Sequence, residues 1–163
     1  LNTMERWLGW PTLQRTMSTF FTTWKFTPPT PDDFFRTASE VAGTDLTWYF
    51  DQVHRSSNVF DYGVQDLRSV RDGDGYRTTV IVRRYGEAVF PVEVLVTFRN
   101  GERATERWDG RERWTTFTYG RPAQALSAQV DPNRVLLLDV NATNNSRTLE
   151  PQGRRAGTKW SAK

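Results

Sequence analysis

The stretch that decides the fold is TPDDFFRTASEVAGTDLTWYFDQV, residues 30–53. Its first half begins with the signals of a helix start. Thr30 can act as the N-cap, Pro31 fits the first helical position and Asp33 completes a capping box. Gly43 follows at the place where a left-handed residue ends a helix. This half therefore predicts one well-capped helix.

The second half predicts another short helix directly after the glycine. Thr44 or Asp45 is the expected cap. The apolar positions of this helix are Leu46, Tyr49, Phe50 and Val53. Since they cover most of its faces, we expect the helix to be well buried.

Upstream, an apolar stripe with helical spacing predicts a longer helix, with Pro11 in its first turn. The stripe consists of Leu13, Met17, Phe20, Phe21 and Trp24. A shorter helical piece at Met4–Leu8, ended by Gly9, is expected before it. Because the stripe is wide and aromatic, it should pack against a large surface.

After His54 the apolar period changes from 3.6 to 2, which is typical of half-buried antiparallel strands. Strands are predicted from Phe60 to the turn at Asp72–Gly75, and then near residues 76–83, 90–98, 102–108, 113–119, 123–130 and 135–140. Asn100-Gly101 predicts a type I′ hairpin turn. Val135–Leu138 is a continuous apolar run, so we expect a central, doubly covered strand there. Pro91 is expected at an edge or at a strand start.

These elements predict an α+β fold in which a short helical segment of about three helices precedes an antiparallel seven-stranded β-sandwich, like that of immunoglobulin or fibronectin domains. The expected organisation is a helical segment at residues 1–57, a sandwich at 58–146 and a basic flexible tail at 147–163.

The charge pattern argues against nucleic-acid binding. The net charge is +3, but Arg154, Arg155, Lys159 and Lys163 lie in the tail, so residues 1–150 carry a net charge of −1. A nucleic-acid binder needs its basic residues on the folded part. A tail that binds acidic surfaces is the alternative to a flexible end, and the run Lys159–Lys163 is compatible with a membrane-associated or extracytoplasmic parent protein.

Few residues point to chemistry. The chain has one histidine, His54, and no cysteine, which argues against a zinc site that needs three protein ligands. His54 is expected to end a helix, where a positive charge suits the dipole. Asp72 and Asp74 fit a hairpin turn better than a calcium loop. Paired carboxylates for glycoside hydrolysis stay open, because their pairing is spatial.

Aromatic residues on the strands give the candidate binding surface. Trp108, Trp114 and Tyr119, with Phe117 beside them, could form a platform for sugars or proteins. The simpler interpretation is that Trp108 and Trp114 pack as a cross-strand pair in a hairpin.

Four short runs carry a resemblance to a known family: Trp24–Phe26, Thr30–Phe34, Gly43–Leu46 and Trp48–Gln52. Together they resemble the end of the catalytic domain in zinc aminopeptidases of the aminopeptidase N and leukotriene hydrolase superfamily, in many of which a β-sandwich follows directly. The resemblance covers about residues 1–146. The chain departs from the family at Val53, where tryptophan is frequent.

The resemblance implies a parent function more clearly than a function for this chain. The family's His-Glu-x-x-His zinc motif, its second glutamate ligand, its Gly-x-Met-x-Asn motif and its catalytic tyrosine lie upstream of the matching runs, and the chain contains none of them. No catalytic, cofactor-binding or metal-binding residue is therefore assigned. We expect a non-catalytic C-terminal part of a zinc metallopeptidase, whose partners are the catalytic domain of the same polypeptide and, for the parent, zinc and a peptide substrate. The alternative is a glycan- or protein-binding sandwich with a helical adaptor.

Overall fold

The computed structural model describes residues 1–149. Four helices come first: α1 Asn2–Leu8, α2 Trp10–Trp24, α3 Pro31–Ala42 and α4 Thr47–His54. Seven strands follow: β1 Tyr62–Asp72, β2 Gly75–Arg84, β3 Val92–Phe98, β4 Arg103–Trp108, β5 Trp114–Arg121, β6 Ala125–Val130 and β7 Ser146–Thr148. The predicted α+β class and the order of helices before strands are confirmed. The short piece before α2 is a separate helix, which makes four instead of about three.

The strands form two antiparallel sheets, one in the order β1-β2-β5 and one in the order β4-β3-β6-β7. The two sheets and the helices share one cluster of buried side chains. Its fully buried members include Leu46 before α4, Val80 and Val82 on β2, and Val94 and Val96 on β3. The strand alternation seen in the sequence therefore places one face of each sheet in a common core. The finer likeness to immunoglobulin or fibronectin domains and the three-part division of the chain stay predictions.

The local start signals in residues 30–53 are formed in the structure. Thr30 and Asp33 make the reciprocal capping box, and Gly43 ends α3 with φ 67°. The cap of α4 differs from the prediction, because Leu46 holds the N-cap position. Asp45 supports this start from one residue outside, where its Oδ1 accepts from the Thr47 N–H at 2.9 Å.

The stripe on α2 is buried along one side only. Leu13 is buried and Phe20 and Trp24 are partly covered, and the Phe20 ring meets Phe34 of α3 edge-on at 5.3 Å. Another set, Trp10, Met17 and Phe21, falls in one narrow sector of the helix and is exposed. We call these three residues the open face of α2. Phe26, just past the helix, is also exposed.

Val135–Val140 is not a strand, so the prediction of a central strand was wrong. Asp131, with a positive φ of 49°, turns the chain back. Its carboxylate accepts from the N–H groups of Val135 and Leu136, both at 2.8 Å. These bonds satisfy backbone donors that a ladder would need, and only Leu136 of the run is buried. The seventh strand is instead the short β7, which pairs with β6 and runs to Thr148.

The two predicted hairpin turns differ in outcome. Asp72 pairs with Gly75 across the tight turn between β1 and β2, as expected. The Asn100-Gly101 turn is not type I′, because of its two residues only Gly101 has a positive φ, at 89°. The Gly101 N–H donates to Phe98 O at 3.0 Å and the Phe98 N–H donates to Glu102 O at 2.9 Å. This pattern is a type I turn followed by a left-handed residue, the usual alternative for a longer hairpin loop. Pro91 stands directly before β3, as predicted.

The ring of Phe90 joins the helices to the sandwich. It is almost fully buried. Its neighbours are the rings of Trp7, Trp48, Tyr49 and Phe60, at centroid distances of 5.1, 6.0, 6.1 and 6.3 Å. We call these five side chains the aromatic seam. It draws on α1, α4 and the segments before β1 and β3.

We expect Phe90→Ala to lower the free energy of unfolding by about 3–5 kcal/mol, because it removes a buried ring and leaves a cavity inside the seam. Phe26→Ala is the matched control. Its ring is 89% exposed, so the same change should cost little. Chemical denaturation of both variants measures the difference, and equal losses would contradict a central role for Phe90.

Candidate functional site

The three aromatic residues of the candidate binding surface do not share one face. Trp108 is only 6% exposed and meets Tyr62 edge-on at 5.6 Å. Tyr119 is 8% exposed and meets Phe98 at 5.9 Å. Trp114 is 59% exposed, at the start of β5, while Phe117 is half-buried. Of these candidate residues, only Trp114 therefore offers an exposed aromatic side chain.

The predicted cross-strand pair of Trp108 and Trp114 was wrong, because their strands belong to different sheets. Trp108 on β4 stands opposite Val92 of β3. Trp114 on β5 stands opposite Arg83 of β2. Sequence proximity suggested a hairpin, but the chain crosses from one sheet to the other between the two residues.

The other candidate positions lie where the sequence placed them. His54 is the last residue of α4 and its ring meets Phe35 at 5.2 Å. Asp72 closes its hairpin and pairs with Arg77 at 2.6 Å. Within residues 1–149 no group of three or more His, Asp or Glu side chains is arranged to hold a metal ion.

The clearest concave site is a pocket beside the aromatic seam. Its volume is about 470 Å³. Three segments line it, with Trp48 and Gln52 from α4, Val89 and Pro91 from the segment before β3, and Asp109 and Arg111 from the β4–β5 loop. We call it the seam pocket. Sequence analysis missed it, because its parts come from three separate regions of the chain.

Gln52 fixes one wall of the seam pocket. Its side-chain amide makes two bonds to one residue: Nε2 donates to Val89 O at 2.9 Å, and the Val89 N–H donates to Oε1 at 2.5 Å. Nε2 also donates to Trp48 O within α4 at 3.1 Å. A paired amide of this kind holds α4 in one register against the sandwich. The Gln in the Trp48–Gln52 run was a visible signal, but its partner could not be inferred from sequence.

Arg84 fixes the opposite wall. The side chain is only 6% exposed, and its guanidinium is bound by backbone carbonyls instead of a carboxylate. Nε donates to Gly110 O at 2.8 Å and Nη2 to Arg111 O at 3.2 Å. Nη1 donates to Gly86 O at 2.7 Å and to Glu87 O at 3.0 Å. The planar fork of arginine donors therefore ties the β4–β5 loop to the β2–β3 connection.

Tyr62 completes the support beneath the pocket. It is fully buried, and its hydroxyl accepts from the Phe90 N–H at 2.7 Å. Burial raises the pKa of Tyr62 to about 12, with the Phe90 N–H and Arg84 opposing that shift. The phenol therefore stays neutral at physiological pH. Its hydroxyl group holds the backbone of Phe90, just before β3, through this hydrogen bond.

The seam pocket is suited to binding rather than to bond-breaking chemistry. Its lining combines an indole, a proline ring and one opposed charge pair, in which Arg111 Nε lies 3.8 Å from Asp109 Oδ2. Both charged side chains are largely exposed, so solvent screens their attraction. Such a lining can stack an apolar group and orient a polar one.

Known proteins match this chain in structure but not in sequence. No protein-family model matches the chain, and no curated protein matches it by sequence. Among solved structures, aminopeptidase A of Legionella pneumophila, in complex with aspartic acid, matches with a TM-score of 0.54 and 12% sequence identity. The match covers 79% of this chain and 15% of that chain. The chain thus shares the fold of a small part of an aminopeptidase. Within residues 1–149 no helix has the length and apolar character to span a membrane.

We expect Arg84→Met to lower the free energy of unfolding by about 3 kcal/mol, because four carbonyl groups lose a charged donor in a buried site. Arg83→Met is the matched control, since Arg83 is exposed and lies over the Tyr85 ring. Thermal denaturation compares the two. Similar melting temperatures for both variants would show that the buried guanidinium is dispensable.

The raised pKa of Tyr62 predicts that the free energy of unfolding falls at alkaline pH. The neutral phenol is favoured in the folded state, so its contribution is complete below pH 10 and is lost as the pH rises through about 12. A shift of this size corresponds to roughly 3 kcal/mol. Denaturation curves between neutral pH and pH 12 should therefore show a shallower alkaline decline for Tyr62→Phe than for the wild type. Tyr85→Phe, at an exposed ring, should keep the wild-type decline. An identical decline in all three proteins would contradict the assignment.

Proposed function

We propose that the chain is a non-catalytic region of a larger, aminopeptidase-like zinc metallopeptidase, in which it braces the catalytic domain. The observation that carries this proposal is the fold it shares with a small part of an aminopeptidase. The sequence runs that resemble the zinc aminopeptidases lie in α3, α4 and their flanks, and α4 contributes Trp48 and Tyr49 to the aromatic seam. Zinc and the peptide substrate would be bound by the catalytic domain, not by residues of this chain.

The open face of α2 supports a bracing role. Trp10 is 57%, Met17 44% and Phe21 71% exposed, although they lie side by side on one helix. A contiguous apolar patch of this kind is typical of a surface covered by another protein surface. The proposed occupant is the catalytic domain of the same polypeptide. In that arrangement α2 lies between two packed surfaces, with Leu13 facing one and Phe21 the other.

The second candidate function is a binding module for glycans or proteins. Two observations favour it, the exposed Trp114 and the seam pocket with the indole of Trp48. The two indoles lie on different elements, so they would act as separate contacts and not as one platform. A saturable glycan or protein ligand that is lost in Trp48→Ala or Trp114→Ala would support this candidate over the bracing role.

The first test of the bracing role uses the chain by itself. We expect it to bind no stoichiometric zinc in isothermal titration and to leave aminoacyl-nitroanilide reporters intact. Stoichiometric zinc together with reporter cleavage would overturn the proposal, because the active site would then lie within this chain.

The second test uses the full polypeptide that contains this sequence. Phe21→Glu places a charge in the proposed interface, so peptidase activity should be lost at a lower temperature than in the wild type. Val140→Glu, at an exposed site on neither α2 nor β5, is the matched control and should keep the wild-type inactivation temperature. If Phe21→Glu also kept it, α2 would not brace the catalytic domain.

A further inference from the structure

The two sheets have four edge strands in the described part of the chain, and three of them are protected against further pairing. The edge of β1 is interrupted by a register shift between Val64 and Asp66. Its backbone is also already used, since the Val64 N–H donates to Asn144 O at 2.9 Å and Gln65 O accepts from Arg147 at 2.6 Å. The row of free groups is therefore broken at the start of β1, and further along the strand Ser69 O accepts from Gln124 Nε2 at 3.3 Å.

Charge and length protect the two edges of the other sheet. The six residues of β4 include three charged ones, Arg103, Glu106 and Arg107. The other edge, β7, is only three residues long and carries Arg147. Charged side chains and very short strands are the usual means by which natural sheets avoid pairing with another chain.

The edge of β5 has none of these protections. The strand is eight residues long, and its pairing with β2 is continuous from Trp114 to Arg121. The six residues from Trp114 to Tyr119 contain no charge and no proline, and they are all aromatic or threonine. Within residues 1–149 no loop or side chain donates a hydrogen bond to the backbone of β5 or accepts one from it. Such a strand has high β-propensity and an unoccupied ladder.

The pairing of β5 with β2 shows which N–H and C=O groups of β5 point to the open edge. The Arg84 N–H donates to Arg113 O at 2.9 Å, one step beyond the pair of Arg83 and Trp114. In an antiparallel strand the N–H and C=O groups of successive residues point to opposite edges. Arg113 therefore faces β2 and Trp114 faces the open edge. By the same alternation, Thr116 and Thr118 also direct their backbone groups outward.

We propose that β5 pairs antiparallel with β5 of a second copy of this chain, with Thr116 opposite its own copy. In this register Trp114 lies opposite Thr118 twice, once on each side of the two-fold axis. Thr115 lies opposite Phe117 in the same way. Pairs of an aromatic with a β-branched residue are among the most stabilising cross-strand neighbours. The paired segment Trp114–Thr118 is thus complementary to itself in shape and carries no charge.

The neighbouring symmetric registers are less favourable. Centring the pair on Phe117 brings Arg113 opposite Arg121, and like charges directly opposite each other are destabilising. Centring it on Thr118 brings Trp114 opposite Pro122, which has no N–H to donate. The Thr116 register keeps Pro122 away from Trp114 and covers the exposed indole of Trp114. It also moves the like-charge pair out to Arg111 and Arg121, where Arg111 lies three residues before the strand. This pairing does not depend on the proposed bracing role, because it involves a different element.

The absence of cysteine from the sequence allows a direct test of the register. In the proposed pair the two Cα atoms at position 116 are about 5.5 Å apart. This separation lies within the range of about 4.4–6.8 Å that a disulfide requires. We expect Thr116→Cys to form a disulfide-linked dimer under mild oxidation, with a yield about tenfold above that of Thr105→Cys. Thr105 is the matched control, because it is an exposed threonine on the edge strand β4.

Two outcomes of this experiment would overturn the proposal. One is equal cross-linking at positions 116 and 105, which would mean random collision. The other is stronger cross-linking of Thr118→Cys than of Thr116→Cys, which would exclude the proposed register. Circular dichroism confirms that the variants are folded. We expect no loss of structure, since the Thr116 side chain is exposed and its backbone groups point away from β2.

A charge-swap experiment tests the same pair without oxidation. We expect sedimentation analysis to show concentration-dependent dimers for the wild type and monomers for Thr116→Lys, because two lysines would face each other at the axis. Thr116→Glu should also be monomeric, and an equimolar mixture of the two variants should dimerise again. A wild-type chain that is monomeric at every concentration would overturn the proposal. So would a mixture that stays monomeric, or a β5 edge that binds an unrelated extended peptide instead of its own copy.

Discussion

The junction between the helices and the sandwich depends on how the ring of Phe90 is held. It lies where the helical segment meets the sandwich and contacts aromatic rings from both. Its backbone is fixed as well, because the Phe90 N–H donates to the buried hydroxyl of Tyr62. Because each aromatic ring buries a large apolar area, this cluster removes much apolar surface from water. The helices therefore share a core with the sheets and are not an appendage to them.

Polar groups near the aromatic seam give this junction its geometry. An apolar contact is not directional, so a cluster of rings alone would permit several arrangements of α4 on the sandwich. Gln52 removes that freedom, because both ends of its amide are matched to one peptide group at Val89. Arg84 does the same for the loop that carries Asp109 and Arg111. The seam pocket has defined walls because these two side chains are fully used inside the fold.

What could be predicted from the sequence were the features with local causes. The capping box at Thr30, the glycine end of α3 and the alternation along β2 and β3 each depend on neighbouring residues. The failures have non-local causes. Val135–Leu138 has the composition of a buried strand, but the Asp131 carboxylate bonds two of its N–H groups and folds it into turns. Trp108 and Trp114 are close in sequence, yet they lie in different sheets. Arg84 lies on the same face of β2 as the buried residues Val80 and Val82. The alternation therefore predicted a buried side chain at position 84, although arginine is rarely buried.

Two surfaces that are left uncovered within residues 1–149 differ in the kind of partner that can bind them. The open face of α2 offers apolar side chains, whose burial is non-directional, so a large and roughly complementary surface is enough to cover it. The edge of β5 offers backbone donors and acceptors at fixed intervals, which only another extended strand can match. The proposed catalytic domain of the same polypeptide would satisfy the first requirement without a strict register. The proposed second copy would satisfy the second, because the uncharged segment Trp114–Thr118 faces its own copy across the axis. The two surfaces therefore call for separate partners, and occupation of one leaves the requirement of the other in place.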